Sequence, residues 1–209
     1  MARGRVRKRA ALGTAVLAVG VGTALAAGLV TRGGADDAAW RGSTPPARIL
    51  LPAFTLGDDA GNRVSSGDLR GKVVAVTFLD TQCRAACPVI AGQVGAALSL
   101  LSRSERRDVV ALAISADPVE DTQGAVAAFL RRHRVRGRLH YLVGSEPELR
   151  PVWSAFDVLP ATDTGDDDVH SAPVRIYDRA GVWVSTQHVG VDLTPENLAH
   201  DLRLALRSS

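Results

Sequence analysis

The sequence contains two cysteines, Cys83 and Cys87, which are separated by three residues and followed by Pro88. Thiolates bind soft metal ions and exchange with disulfides. A spacer of three residues lets two sulfur atoms converge on one ion or on each other. The pair therefore predicts a soft-metal site or a redox-active dithiol. The alternatives are a buried small apolar residue and a plain structural disulfide, although a disulfide that closes so short a loop stabilises a fold little.

The segment around the cysteines has the pattern of a strand followed by a helix. A nearly continuous apolar run, Lys72 to Leu79, is typical of a strand buried on both faces. The carboxyl ends of such strands are where ligands bind in open α/β sheets. Pro88 is suited to open a helix, which would leave Cys87 at or near the N-cap. There the helix dipole and free N–H groups would lower the pKa of the Cys87 thiol.

Further strands and helices are predicted in alternation along the chain. Hairpins are expected over 54–65 and 173–185, strands over 108–115 and 139–143, and helices over 88–101, 122–134, 146–156 and from Thr194 onward. This alternation, closed by a hairpin and a helix, indicates α/β layering. The order suits a thioredoxin-like fold with an N-terminal hairpin and an inserted helix.

The first 31 residues have the pattern of a membrane anchor or a signal sequence. Basic residues among the first nine precede an uncharged run, Ala10 to Thr31, which is long enough to cross a ~30 Å hydrocarbon core. Such an order keeps the N-terminus in the cytoplasm and sends the rest of the chain across. Ala24-Leu25-Ala26 resembles a cleavage site, so secretion after cleavage is the alternative.

Three segments are predicted along the chain. Residues 1–31 are the anchor or signal, residues 32–46 are a flexible tether rich in Gly, Ala, Asp, Ser and Pro, and residues 47–209 are one folded domain. Lys and Arg number 25 against 22 Asp and Glu, and the pI is about 9.3. Six of the basic residues lie in or beside the first segment, so the remainder is net acidic. The high pI therefore indicates topology, and no nucleic-acid partner is expected.

Four motifs, in order, resemble the Sco/SenC family. They are Cys83-x-x-x-Cys87-Pro88 after the strand end T-F-L-D-T, Ser115-Ala116-Asp117-Pro118-x-x-Asp121-Thr122, Leu142-Val143-Gly144-Ser145, and Val169-His170-Ser171 before a strand that ends near Asp178 and Gly181. The resemblance covers about Pro52 to Leu206. It implies a thioredoxin-like domain held outside the cytoplasmic membrane, which binds one copper through Cys83, Cys87 and His170.

The same resemblance implies a role in assembling the dinuclear copper site of cytochrome c oxidase. The expected partners are the copper-bearing oxidase subunit or another periplasmic copper chaperone, with the membrane held through the N-terminal helix. Two thiolates and an imidazole suit Cu(I), and Cu(II) is left open. The alternative is a membrane-tethered thiol-disulfide oxidoreductase that acts on oxidase cysteines through Cys83 and Cys87, for which His170 is dispensable. A peroxidase of this fold usually has Thr-x-x-Cys, whereas Thr81-Gln82-Cys83 is one residue shorter.

The sequence departs from the family pattern beside the first cysteine. Arg84 and Ala85 stand where many members carry a proline or an acidic residue, and Asp80 places a carboxylate beside the site. We expect these changes to affect partner contacts and redox tuning more than ligation. Asp117 and Asp121 are predicted to be strand-end and helix-cap groups, not ligands.

The remaining charged runs are predicted to be solvated. The arginines among residues 131–138 cluster with His133, and a solvated helix end is preferred to a nucleic-acid footprint. Asp163 and the run 166–168 precede His170. A solvated loop is preferred there to a surface that steers copper or a basic partner.

Overall fold

The computed structural model describes residues 38–160, 163 and 173–208. The run from Ala10 to Thr31, which we predict to be an anchor or signal, lies outside the described residues, and so does His170. Within the described ranges, no helix combines the length and the apolar character needed to cross a bilayer.

The described strands form one seven-stranded mixed sheet in the order β2-β1-β5-β4-β3-β6-β7. Their bounds are β1 (Thr55–Asp58), β2 (Arg63–Ser65), β3 (Val73–Leu79), β4 (Val109–Ser115), β5 (Leu139–Val143), β6 (Val174–Tyr177) and β7 (Trp183–Gln187). The central strands β3, β4 and β5 are parallel, and the outer pairs are antiparallel. The predicted hairpins therefore flank a parallel centre.

Five α-helices surround this sheet in the described part of the chain. They are α1 (Ala86–Leu100), α2 (Arg103–Arg107), α3 (Gln123–Arg132), α4 (Glu146–Ala155) and α5 (Pro195–Arg207). Helix α2 and a 3-10 turn over Ser66–Leu69 are absent from the sequence prediction. Both are too short to show an apolar period. Helix α2 rests instead on a capping box between Ser102 and Glu105.

The core lies on both faces of the sheet, as the apolar run of β3 predicts. All seven residues of β3 are buried. Alternate side chains of β3 pack on one face with α1, α3 and α5, and the others pack on the opposite face with α4. A strand covered in this way is held rigidly, and the loop after its carboxyl end carries Cys83.

The N-terminal part of the described chain is bound to the domain. The backbone N–H groups of Arg41 and Gly42 donate to the Asp201 carboxylate at 2.8 and 3.0 Å. Ser43 exchanges two backbone hydrogen bonds with Thr186 of β7. The compact unit accordingly begins at Trp40, upstream of the predicted start at residue 47.

Two glycines of α1 give a matched pair of stability predictions. A Cβ on Gly95 would lie 2.5 Å from Cγ1 of Val135, whereas a Cβ on the exposed Gly92 would meet nothing within 4 Å. We expect Gly95→Ala to lower the free energy of unfolding by about 1–3 kcal/mol through overpacking. Gly92→Ala should raise it by about 0.5–1 kcal/mol because alanine favours the helix. Urea unfolding measures both, and a stabilised Gly95→Ala variant would contradict the close contact.

Candidate dithiol metal centre

The loop that carries Cys83 is fixed by two buried carboxylates. The Asp80 carboxylate accepts a hydrogen bond from the N–H of Gln82 at 2.7 Å. The Asp121 carboxylate, from the loop after β4, accepts one from the N–H of Thr81 at 2.8 Å. These bonds hold the backbone directly before Cys83, so the thiol has a defined position relative to β3.

Asp121 joins three parts of the fold beneath this loop. Its second carboxylate oxygen accepts hydrogen bonds from Ser115 Oγ at 2.6 Å and from the Tyr141 hydroxyl at 2.8 Å. Burial raises the pKa of Asp121, and the hydrogen bonds from Ser115, Thr81 and Tyr141 oppose that rise. Asp121 is therefore a structural strand-end group, as predicted.

The neighbouring polar residues also have structural roles. Asp117 accepts hydrogen bonds from the backbone N–H groups of Val119 and Glu120, at 2.9 and 3.2 Å. Thr122 is the N-cap of α3 and accepts from the N–H of Ala125. The prediction that this segment caps a helix is confirmed.

The two thiols lie close together and almost fully out of solvent. Cys83 is 3% exposed and Cys87 is 0% exposed. The backbone N–H of Cys87 donates to Cys83 Sγ at 3.3 Å. A hydrogen bond from the Cys87 thiol, together with N–H groups of Cys87, Ala85 and Ala86, lowers the pKa of Cys83 from 9.0 to about 7, although burial opposes this. The Cys83 thiolate is thus substantially populated at neutral pH.

The Cys87 thiol is held in its protonated form. Its pKa is raised, first because it donates its proton to Cys83, then because it is buried, and further by the charges of Cys83 and Asp80. The pair therefore shares one proton, with the negative charge on Cys83.

The assignment of the activated thiol to Cys87 is wrong. Helix α1 begins at Ala86, two residues before Pro88, and its N-cap is Ala85. Pro88 is tolerated there because the first-turn N–H groups have no partner within the helix. Cys87 consequently lies in the first turn and points inward, while Cys83 receives the free N–H groups.

The reactivity of Cys83 with iodoacetamide should follow this charge distribution. We expect the alkylation rate to rise with pH around a midpoint of about 7, because only the thiolate reacts. Replacing Cys87 by alanine removes the largest cause of the lowered pKa, so the midpoint should move up toward 9.0. Mass spectrometry of the alkylated peptide provides the measurement. An unmoved midpoint would show that the helix terminus, not Cys87, sets the pKa of Cys83.

A groove of about 340 Å³ opens onto Cys83. Its lining residues come from the cysteine loop, the start of α1 and the end of α3: Thr81, Gln82, Cys83, Arg84, Pro88, Phe129, Arg132 and His133. The His133 ring packs on Phe129 with a centroid distance of 4.4 Å. The sequence prediction missed Arg132 and His133, which it assigned to a solvated helix end. No local pattern could reveal them, because tertiary packing brings α3 beside Cys83.

The described residues supply two ligands of the predicted three. Among them, no three His, Cys, Asp or Glu side chains are grouped as a metal site. Two adjacent thiols fit a soft ion such as Cu(I), and hard cations require oxygen ligands. The third ligand, His170, remains a prediction.

The sheet order and the dithiol define the class of protein. A central parallel sheet with flanking antiparallel strands, helices on both faces and two cysteines at the first strand-to-helix corner make this a thioredoxin-like domain. Residues 42–207 match the SCO1/SenC family model. The chain therefore belongs to the SCO1/SenC family, which confirms the resemblance seen in the sequence.

Individual relatives agree with this assignment. The copper-bound structure of ScoI from Bradyrhizobium japonicum is 28% identical, covers 76% of this chain and 100% of its own, and has a TM-score of 0.63. Protein sco1 of Schizosaccharomyces pombe is 29% identical over 70% of this chain and 57% of its own. BsSco is a member of the Sco family of cytochrome c oxidase assembly proteins, and a disulfide switch has been identified in it. It is 21% identical to this chain, covers 77% of this chain and 95% of its own, and has the same fold with a TM-score of 0.65.

Proposed function

We propose that this protein binds one copper through Cys83, Cys87 and His170 and delivers it to the dinuclear copper site of cytochrome c oxidase. The observation that carries the proposal is a pair of hydrogen-bonded thiols in a chain of the SCO1/SenC family, one of which, Cys83, lines a groove. Residues 1–31 would direct the domain out of the cytoplasm, where it stays anchored to the membrane or, if the segment is a cleaved signal, is secreted.

The thiols are suited to receiving and releasing a soft ion. Cys83 presents a thiolate near neutral pH, and Cys87 gives up its proton when the ion replaces that proton between the two sulfurs. The loop stays in place because Asp80 and Asp121 hold its backbone. Copper bound to two sulfurs and one imidazole has an open side, where ligands of a partner can replace those of this protein.

Copper analysis of the full chain in detergent tests the assignment of His170. After loading with Cu(I) under reducing conditions, we expect about one copper per wild-type chain and a clear loss in His170→Ala, because the soft site then keeps only two ligands. His188→Ala is the matched control, since His188 is an exposed histidine on another loop. Full copper retention in His170→Ala would remove His170 from the site.

The difference between the two thiols also favours a second function, thiol-disulfide exchange. The Cys83 thiolate attacks a substrate disulfide, and one substrate sulfur leaves as a thiolate. Cys87 then loses its proton and attacks the mixed disulfide, which forms the Cys83–Cys87 disulfide and leaves the substrate reduced by two electrons. This activity should survive His170→Ala, whereas copper binding should not. A His170→Ala variant that binds no copper but keeps the wild-type rate of disulfide reduction would establish thiol-disulfide exchange as a function of this protein.

A further inference from the structure

We propose that the groove beside Cys83 is a docking site for an acidic segment of the partner protein. This inference rests on the proposed function and specifies the partner surface that approaches the dithiol. Two observations carry it: the charged side chains on the rim of the groove, and the position of the groove beside the Cys83 sulfur.

Among the lining residues that the structure describes, two are arginines and none is a carboxylate. Arg84 and Arg132 contribute guanidinium groups, whereas burial and the charge of Arg132 lower the pKa of the His133 imidazole. Arg84 and Arg132 are exposed, while Pro88 and Phe129 give the groove an apolar wall. None of the eight lining residues in the described part of the chain is Asp or Glu. An acidic segment with a few apolar atoms is the complementary ligand.

The two carboxylates that hydrogen-bond to the cysteine loop, Asp80 and Asp121, are buried. Asp80 is 0% exposed and Asp121 is 4% exposed. Each accepts a backbone N–H of the loop, and neither is among the described lining residues. The exposed charged side chains of the described rim are therefore those of Arg84 and Arg132.

The position of Cys83 makes this field relevant to the reaction. Cys83 is 3% exposed and lines the groove, so the groove gives ligand atoms a route to its sulfur. A rim of one charge sign raises the local concentration of opposite charge and increases association rates by about 10–1000-fold. A partner with carboxylates beside its cysteines or copper ligands would be selected over a basic one.

Three cysteine peptides of equal length test the proposal on the full, reduced chain. They are acidic, neutral and basic, and each carries its sulfur as a mixed disulfide with thionitrobenzoate. The Cys83 thiolate attacks the peptide sulfur and releases the coloured thionitrobenzoate. Cys87 then displaces the peptide thiol and forms the protein disulfide, so sulfur and electrons balance.

At low salt we expect the acidic peptide to react at least about tenfold faster than the basic one. The rates should converge near 1 M salt, where the Debye length is about 3 Å. Arg132→Glu should abolish or reverse the preference. Arg70→Glu makes the same change of charge at the opposite end of β3, about 20 Å away along the strand, and should keep it.

Equal rates for the acidic and basic peptides in the wild type would overturn the docking proposal. The same loss of preference in Arg70→Glu and Arg132→Glu would also overturn it, because net charge alone would then explain the effect. Replacing the three aspartates of the run 166–168 by asparagine provides a further test. If the acidic peptide then reacted faster, the groove would be occupied by this chain's own acidic residues and not by a segment of the partner. Release of thionitrobenzoate from the neutral peptide reports on the dithiol without any effect of charge. If no peptide released thionitrobenzoate, the result would count against the thiol chemistry of the proposed function and not against the docking site.

Discussion

Copper binding is expected to fall to near zero when either Cys83 or Cys87 is replaced by serine. The serine hydroxyl is a hard donor that stays protonated at neutral pH, so it does not replace a thiolate toward Cu(I). Because the two sulfurs are in hydrogen-bond contact, one ion could bind both, and each replacement removes half of the described donor set of the proposed site. Affinity should drop by more than the ~10–100-fold that loss of an outer-shell partner costs.

Competition between the reduced protein and a Cu(I) chelator of known affinity measures this loss. Asp80→Asn is the matched control, because Asp80 fixes the loop through Gln82 without being a thiol. It should weaken binding by about 10–100-fold while copper at saturation stays near that of the wild type. Wild-type affinity in either cysteine variant would place the copper site elsewhere in the chain.

Replacing Asp201 by alanine is expected to lower the free energy of unfolding by about 3–5 kcal/mol. Its carboxylate is 0% exposed, and besides Arg41 and Gly42 it accepts hydrogen bonds from Ser185 Oγ at 2.6 Å and Gln187 Nε2 at 2.8 Å. Alanine would leave those two buried side-chain donors without their acceptor. It would also release the N-terminal segment from α5.

Urea unfolding followed by far-ultraviolet circular dichroism measures this effect. Glu196→Ala is the control on the same helix, and because Glu196 is exposed in the first turn it should cost less than about 1 kcal/mol. Asp201→Asn keeps the shape but turns one acceptor into a donor. Its loss of unfolding free energy should lie between those of Glu196→Ala and Asp201→Ala. This variant preserves the test if Asp201→Ala does not fold. A cost below 1 kcal/mol for Asp201→Ala would refute the central role of this carboxylate.

Local patterns were sufficient for the central strands and for the position of the dithiol. The apolar run of β3 and the cysteines directly after it predict a buried strand that ends at a reactive corner, and the structure has both. The sequence predicts a start of α1 at Pro88, two residues later than the observed start, because proline is common at the first helical position although the whole first turn tolerates it. For this reason the sequence assigns the lowered thiol pKa to Cys87, whereas the structure assigns it to Cys83.

Apart from helix α2 and the 3-10 turn, which are too short to show an apolar period, the features that the sequence did not predict depend on distant contacts. Asp201 bonds to Arg41 and Gly42 across about 160 residues, and no periodicity encodes such a pairing. Likewise, Arg132 looks like an ordinary end of an amphipathic helix until α3 is placed beside Cys83. Side chains that act through tertiary packing carry no local signature.

The hydrogen bonds between the N-terminal segment and β7 also bear on solubility. Strand β7 is the last strand of the sheet, and an uncovered edge strand is a template for aggregation. Ser43 and Leu50 form bridges to Thr186 and Val182, and the two prolines at 45–46 between them offer no N–H to a foreign strand. Residues 43–50 therefore shield this edge. A chain that begins at residue 47 would expose part of β7, which could then pair with the same strand of another molecule.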